Sequence, residues 1–158
     1  MLKVLELVKE AEKQLNTADH LAKVSYPILK ENKILLSVVY HLFDAGNLII
    51  EAILLYEKLN KKINYLPTDF ESKLKLFETE ILSKNNFDRK IIISMNELNN
   101  IIKQHKESPI EFSRKENFVI CNDDYSLIKI LDVKMLYLYI EALRSIMIKF
   151  KDGLRQNV

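Results

Sequence analysis

Residues 33 to 59 constrain this chain more than any other stretch. They read KILLSVVYHLFDAGNLIIEAILLYEKL, with apolar side chains on nearly every side of a helix. A surface helix carries one apolar stripe; a helix apolar around most of its girth has to be packed on several sides. The stretch therefore predicts the central post of a helical bundle. The competing reading is a membrane span, which needs roughly 20 apolar residues with few polar ones. His41, Asp44, Asn47 and Glu51 fall in the middle of any such window. Ionised carboxylates at that depth are costly, so the expectation is a chain without a membrane segment.

The flanking sequence predicts the remaining rods. Leu5, Val8, Leu15, Ala18, Leu21 and Ala22 recur at helical spacing, giving a first helix from Leu2 to about Val24. Pro27 disfavours helical geometry at Tyr26, so that helix is expected to end or kink near Ser25. Gly46 lies inside the central helix, where glycine costs about 1 kcal/mol against alanine; it is expected to mark a tight helix crossing. Thr68 and Glu71 stand at capping-box spacing, opening a third helix from Asp69 to about Leu82. Asp88 caps a fourth, reaching about Lys106, with Ile92, Met95, Leu98 and Ile102 on its buried side. Pro109 closes it. Asp132 caps the last helix, Val133 to about Asp152, which Gly153 is expected to end in a left-handed conformation.

Between Pro109 and Asp132 the pattern changes. Ile110 and Phe112 alternate with polar neighbours, Arg114 to Asn117 reads as a turn, and Phe118 to Cys121 are strand formers. A small β-hairpin near residues 110–121 follows, with Asn122 to Ser126 as loop. Two strands alone are marginal in water, so the hairpin has to lie on the helices. The fold class is all-α: one domain over residues 1–158, a bundle of about five helices with one hairpin. Two glycines and three prolines in 158 residues agree with long helices rather than many turns.

Composition narrows the function classes. A formal charge of +2, with Lys and Glu interleaved, gives no global basic field. The lone Cys121 has no disulfide partner in the chain, and Lys3, Glu6 and Lys9 interrupt the apolar N-terminal residues, which argues against a signal peptide. A cytoplasmic location is expected. Glycine at 46 and 153 alone leaves no phosphate-binding loop, and Cys121 has no neighbouring base, so no catalytic or cofactor-binding residue is assigned. His20 with Asp19, and His41 with Asp44, could hold a metal if the first two helices brought them together. Glu-x-x-His, the signature of a carboxylate metal bundle, is absent. Lys103, Lys106, Arg114 and Lys115, with His105, Phe112 and Phe118 among them, are the candidate nucleic-acid contacts, through phosphates and stacked bases. Glu107, Glu111 and Glu116 dilute that charge.

The segments Ala18-Asp19-His20-Leu21-Ala22 and Tyr40-His41-Leu42-Phe43-Asp44-Ala45, the latter leading into Glu51-Ala52-Ile53-Leu54, resemble the HEPN superfamily of small helical bundles. The resemblance covers at most the first sixty residues. HEPN nucleases carry an Arg followed four to six residues later by a His, which together cut RNA at a dimer interface. Arg89, Arg114, Arg144 and Arg155 are followed by no His at that distance, and the hairpin is a second departure. The resemblance thus implies a non-catalytic member that dimerises through helices and binds partners, including nucleotidyltransferase-like chains. The sequence expectation is a non-catalytic helical interaction module, a homodimer that binds a protein partner. The alternatives are an RNA-binding protein using the basic hairpin region, and a degenerate HEPN-type ribonuclease or metal-dependent enzyme.

Overall fold

Pro27 does not end the first rod. In a computed structural model of the chain, helix α1 spans Leu2–His20, a wide π-helical turn follows over Leu21–Ser25, and α2 continues over Tyr26–Leu29. Tyr26 is helical, at φ −63° and ψ −47°. Proline offers no amide hydrogen, and its ring crowds the carbonyl four residues back. The wide turn accommodates both: the Tyr26 N–H donates to the carbonyl of Leu21, five residues earlier. The rod stops at Lys30, which turns left-handed at φ 51°. The structure describes residues 1–108, 110–114, 117–121 and 128–156, the side chains of Ile110, Phe112, Ser113 and Ile128 excepted.

Helix α3 spans Lys33–Leu59 and is the central post. Leu35, Val38, Val39, Leu42, Ile49, Ala52 and Leu54 are fully enclosed along its length. It is long and apolar enough to cross a membrane, and here its neighbours cover it. Helix α1 packs along α3, joined by a short connection that makes the two antiparallel. Helix α6, Val133–Gln156, runs antiparallel to α1. Its register is set by Lys151 on Glu12 at 2.9 Å, Arg144 on Asp19 at 3.3 Å and the Tyr137 hydroxyl donating to the Ala22 carbonyl at 3.3 Å. Helix α5, Lys90–Glu107, closes the bundle between α3 and α6. Gly46 sits where these three rods meet: a Cβ there would stand 2.1 Å from Met95 Sδ and 3.1 Å from Leu143 Cδ2.

The remaining rod crosses the outside of α3. Helix α4, Phe70–Leu76, runs on into a second π-helical turn, Phe77–Leu82. Phe70 stacks obliquely on Phe43 at 4.8 Å between ring centres, and Lys73 reaches Glu51 at 2.6 Å. Its cap differs from the expected one. Asp69, not Thr68, holds the extended N-cap position, and its carboxylate accepts from the Ser72 amide at 2.9 Å. A carboxylate both accepts that bond and favours the positive end of the helix, so it outcompetes the neighbouring hydroxyl. Asp132 caps α6 by accepting from the Lys134 amide at 2.9 Å, whereas the N-cap position of α5 falls on Arg89 rather than on the expected Asp88, which accepts from the Lys90 amide at 2.9 Å from one residue outside the helix end.

The expected hairpin is present, as β1, Ile110–Arg114, paired antiparallel with β2, Asn117–Cys121. A third strand extends it: β3, Ile128–Leu131, pairs with the other edge of β2, Phe118 opposite Leu131. Phe118, Ile120 and Leu131 join the helical core, which supplies the apolar backing a small sheet needs. Pro109, Lys115, Glu116 and the Asn122–Ser126 loop lie outside the described residues. Gly153 does not terminate α6; the helix continues to Gln156, and no described glycine has a positive φ. Continuing the helix keeps Leu154 packed against the core, which offsets the cost of a helical glycine.

Candidate functional site

Three of the four candidate nucleic-acid residues lie among the described residues. Lys103 lies near the end of α5, where its Nζ reaches Glu71 Oε1 at 2.8 Å. Lys106 is exposed on the last turn of α5. Arg114 stands at the tip of β1, about 13 Å along the strand from Ile110. Lys115 is outside the described residues. The neighbouring charges are matched: His105 Nδ1 contacts Glu111 Oε1, and Lys129 reaches Glu97 at 2.5 Å. Phosphate binding depends on uncompensated cations; Glu71, Glu111 and Glu97 answer Lys103, His105 and Lys129, whereas Lys106 and Arg114 make no ion pair among the described residues. Phe118 is buried, so it is no stacking platform.

The histidine pairs do not converge either. His41 Nδ1 lies 2.7 Å from Gln14 Oε1, while the Gln14 amide donates to Glu10. The Gln14 oxygen is then the acceptor, and Nδ1 carries the proton. This contact fixes the α1–α3 register and puts His20 six residues, about 9 Å, farther along α1 from the Gln14–His41 level. Asp19 is engaged instead by Lys23 at 2.7 Å and by Arg144. Among the described residues no three His, Cys, Asp or Glu side chains are grouped to hold a metal ion. The Asp44 carboxyl is raised above its ordinary pKa by partial burial, against the opposing pull of His41. Cys121 is fully buried.

Depressions open along α6, and two of them adjoin its outer face and the neighbouring helices α3 and α5. The larger, about 760 Å³, lies between the end of α3, residues 85–87 and the last turns of α6. It contains a buried carboxylate, Glu57, paired with Lys62 at 3.1 Å. Its other cations are also engaged: Lys149 donates to the Asn86 carbonyl and sits 5.7 Å from the Phe87 ring centre, and Arg144 is held by Asp19. The second depression, about 510 Å³, is a groove between α5 and α6. Ser94, Tyr139, Ala142 and Ile146 lie deep in it, and Ile93 and Leu138 stand exposed beside it. Burial, and then the charge of Glu97, push the Tyr139 phenol up to about 12. The Ser94 hydroxyl is satisfied by the Lys90 carbonyl at 2.8 Å.

The broad apolar girth of α6 is legible in the sequence, but the side of it that stays uncovered is not. Ile93, Leu138 and Ile148 are 57, 69 and 54% exposed, within helices whose other large apolar residues are mostly buried. The signal was present as helical phase. On α6 the buried side chains Leu136, Ile140, Leu143, Met147 and Phe150 mark one face, and Leu138, Ser145 and Asp152 fall opposite it. No family model, no curated protein and no solved structure matches the chain. The functional reading therefore rests on the geometry of this face.

Proposed function

We propose that the protein is a non-catalytic helical interaction module that works as a homodimer, docking through the outer face of α6 and the adjoining edge of α5. One observation carries this reading: Leu138 and Ile148 stand more than half exposed on the outer face of α6, and Ile93 stands more than half exposed on α5, across the groove from Leu138. Isolated exposed apolar residues are ordinary; a set gathered beside a groove marks a docking surface. The chemistry around it agrees, because Glu57, Lys62, Arg144 and Lys149 of the larger cleft are engaged within the chain. The HEPN resemblance of the first two helices implies association through helices as well.

The test is sedimentation velocity of the full chain across the micromolar range. The expected result is a reversible dimer that becomes monomeric in Leu138→Glu and in Ile148→Glu, with helical circular dichroism unchanged. A wild-type chain that stays monomeric throughout overturns the reading.

A further inference from the structure

We propose that the surface taken by a second copy is α6 itself, antiparallel, about a two-fold axis level with Leu143. This rests on the self-association proposed above and specifies its geometry. Lys134 and Asp152 are eighteen residues apart, which is about five turns of α-helix, so both stand on one meridian roughly 27 Å apart. That meridian is the centre of the exposed face. Glu141 and Ser145 straddle it by about 20° on either side, and Leu138 and Ile148 by about 40°. All six side chains are exposed, and the core residues of α6 lie on the opposite side.

A two-fold axis at the midpoint of that meridian turns the pattern onto its own complement. Lys134 meets Asp152 of the second copy, Leu138 packs beside Ile148, and Glu141 meets the Ser145 hydroxyl; each contact then recurs by symmetry. Such an isologous contact closes after two chains. A parallel arrangement sets Lys134 on Lys134 and Glu141 on Glu141, which is repulsive, so charge selects the antiparallel one. The ionic groups are free to take these roles. Lys134 makes no ion pair among the described residues, and Asp152 has only an exposed contact with Arg155 at 3.7 Å. Glu141 is held no closer than 4.0 Å, by Lys23. Ile93 widens the apolar strip on the Leu138 side.

The experiment uses the full chain with two variants that each add one cysteine, Lys134→Cys and Asp152→Cys, and a short bismaleimide. The native Cys121 is buried, and wild type serves as the control for it. The expected result is covalent dimer when the two variants are mixed and little from either alone. Charge reversal gives a second readout. Lys134→Glu or Asp152→Lys should weaken the dimer about five- to tenfold, and the two together should restore it to within about twofold. Cross-linking of Lys134→Cys with itself, or none in the mixture while the chain still sediments as a dimer, overturns this geometry and leaves the homodimer reading intact. A chain that is monomeric overturns both.

Discussion

Met95 fills the space that a side chain on Gly46 would need. The methionine sulfur lies 2.1 Å from the ideal Cβ position, and its methyl carbon 2.7 Å, so α5 approaches the α3 backbone at that level. Gly46→Ala is therefore expected to destabilise the fold by about 1–2 kcal/mol, the overpacking outweighing the gain in helix propensity. Thioethers are flexible, so the cost depends on Met95 finding another rotamer. Combining Gly46→Ala with Met95→Ala should cost less than the sum of the two. A denaturant double-mutant cycle measures this, and additivity would contradict the close approach.

The pair formed by Lys73 and Glu51 makes a different prediction. The lysine side chain is 9% exposed and the carboxylate 28%, and they meet at 2.6 Å. Removing one partner strands a charge out of water, whereas replacing both with apolar groups leaves none. Glu51→Ala should cost about 2–3 kcal/mol, and Lys73→Met with Glu51→Leu clearly less. Thermal unfolding of the three proteins decides it; equal losses in the single and double variants would show that the pair is not desolvated.

Alkaline unfolding should carry the signature of Tyr139. Its phenol is raised from 10 to about 12 in the folded chain, so between those values the unfolded state releases the proton first. Stability contributed by the neutral phenol is complete below pH 10 and is lost as the pH rises through the folded value. Tyr139→Phe keeps the ring and removes the ionisation, so its stability should fall less steeply over that range. Urea melts at increasing pH measure the difference, and identical slopes would refute it.

At the acid end the relevant group is Asp69. Its carboxyl is lowered from its ordinary value by the hydrogen bond from the Ser72 amide. The sign is opposite to that of Tyr139: the contribution is present above the unfolded pKa and disappears as the pH falls through the folded one. Asp69→Ala should lower the thermal midpoint at neutral pH, and the gap to wild type should close in strong acid. A gap that persists there would assign the effect to something other than the carboxylate.

The parts of the fold legible in the sequence are those where hydrophobic phase runs long enough to be unambiguous. Helix α3 is apolar over 27 residues, and the stripe of α5 continues through Met95, Leu98 and Ile102. Strand β3 is four residues long, Ile128–Leu131, and directly precedes a helix, so its period cannot be separated from the helical one. Pro27 was read by its local preference, but packing of Tyr26 into the core, with its hydroxyl 3.2 Å from Asn32 Oδ1, overrode that preference. The candidate basic residues are visible individually; the pairing of Lys103 with Glu71 is not, because the two are 32 residues apart in the chain. Leu138 and Ile148 stood out only once the buried side of α6 was known, since the sequence of that helix is apolar at many positions.

The wide turn at Leu21–Ser25 also has a hereditary side. A π-helical turn holds one residue more than the α-helix around it, so everything after it is rotated by about 100° relative to an uninterrupted rod. Lineages that lose a residue between 21 and 25 would keep an unbroken helix and swing Tyr26 out of the interior, with Pro27 then set against a regular turn. Deleting one residue from this short span is consequently expected to cost more than a conservative substitution within it.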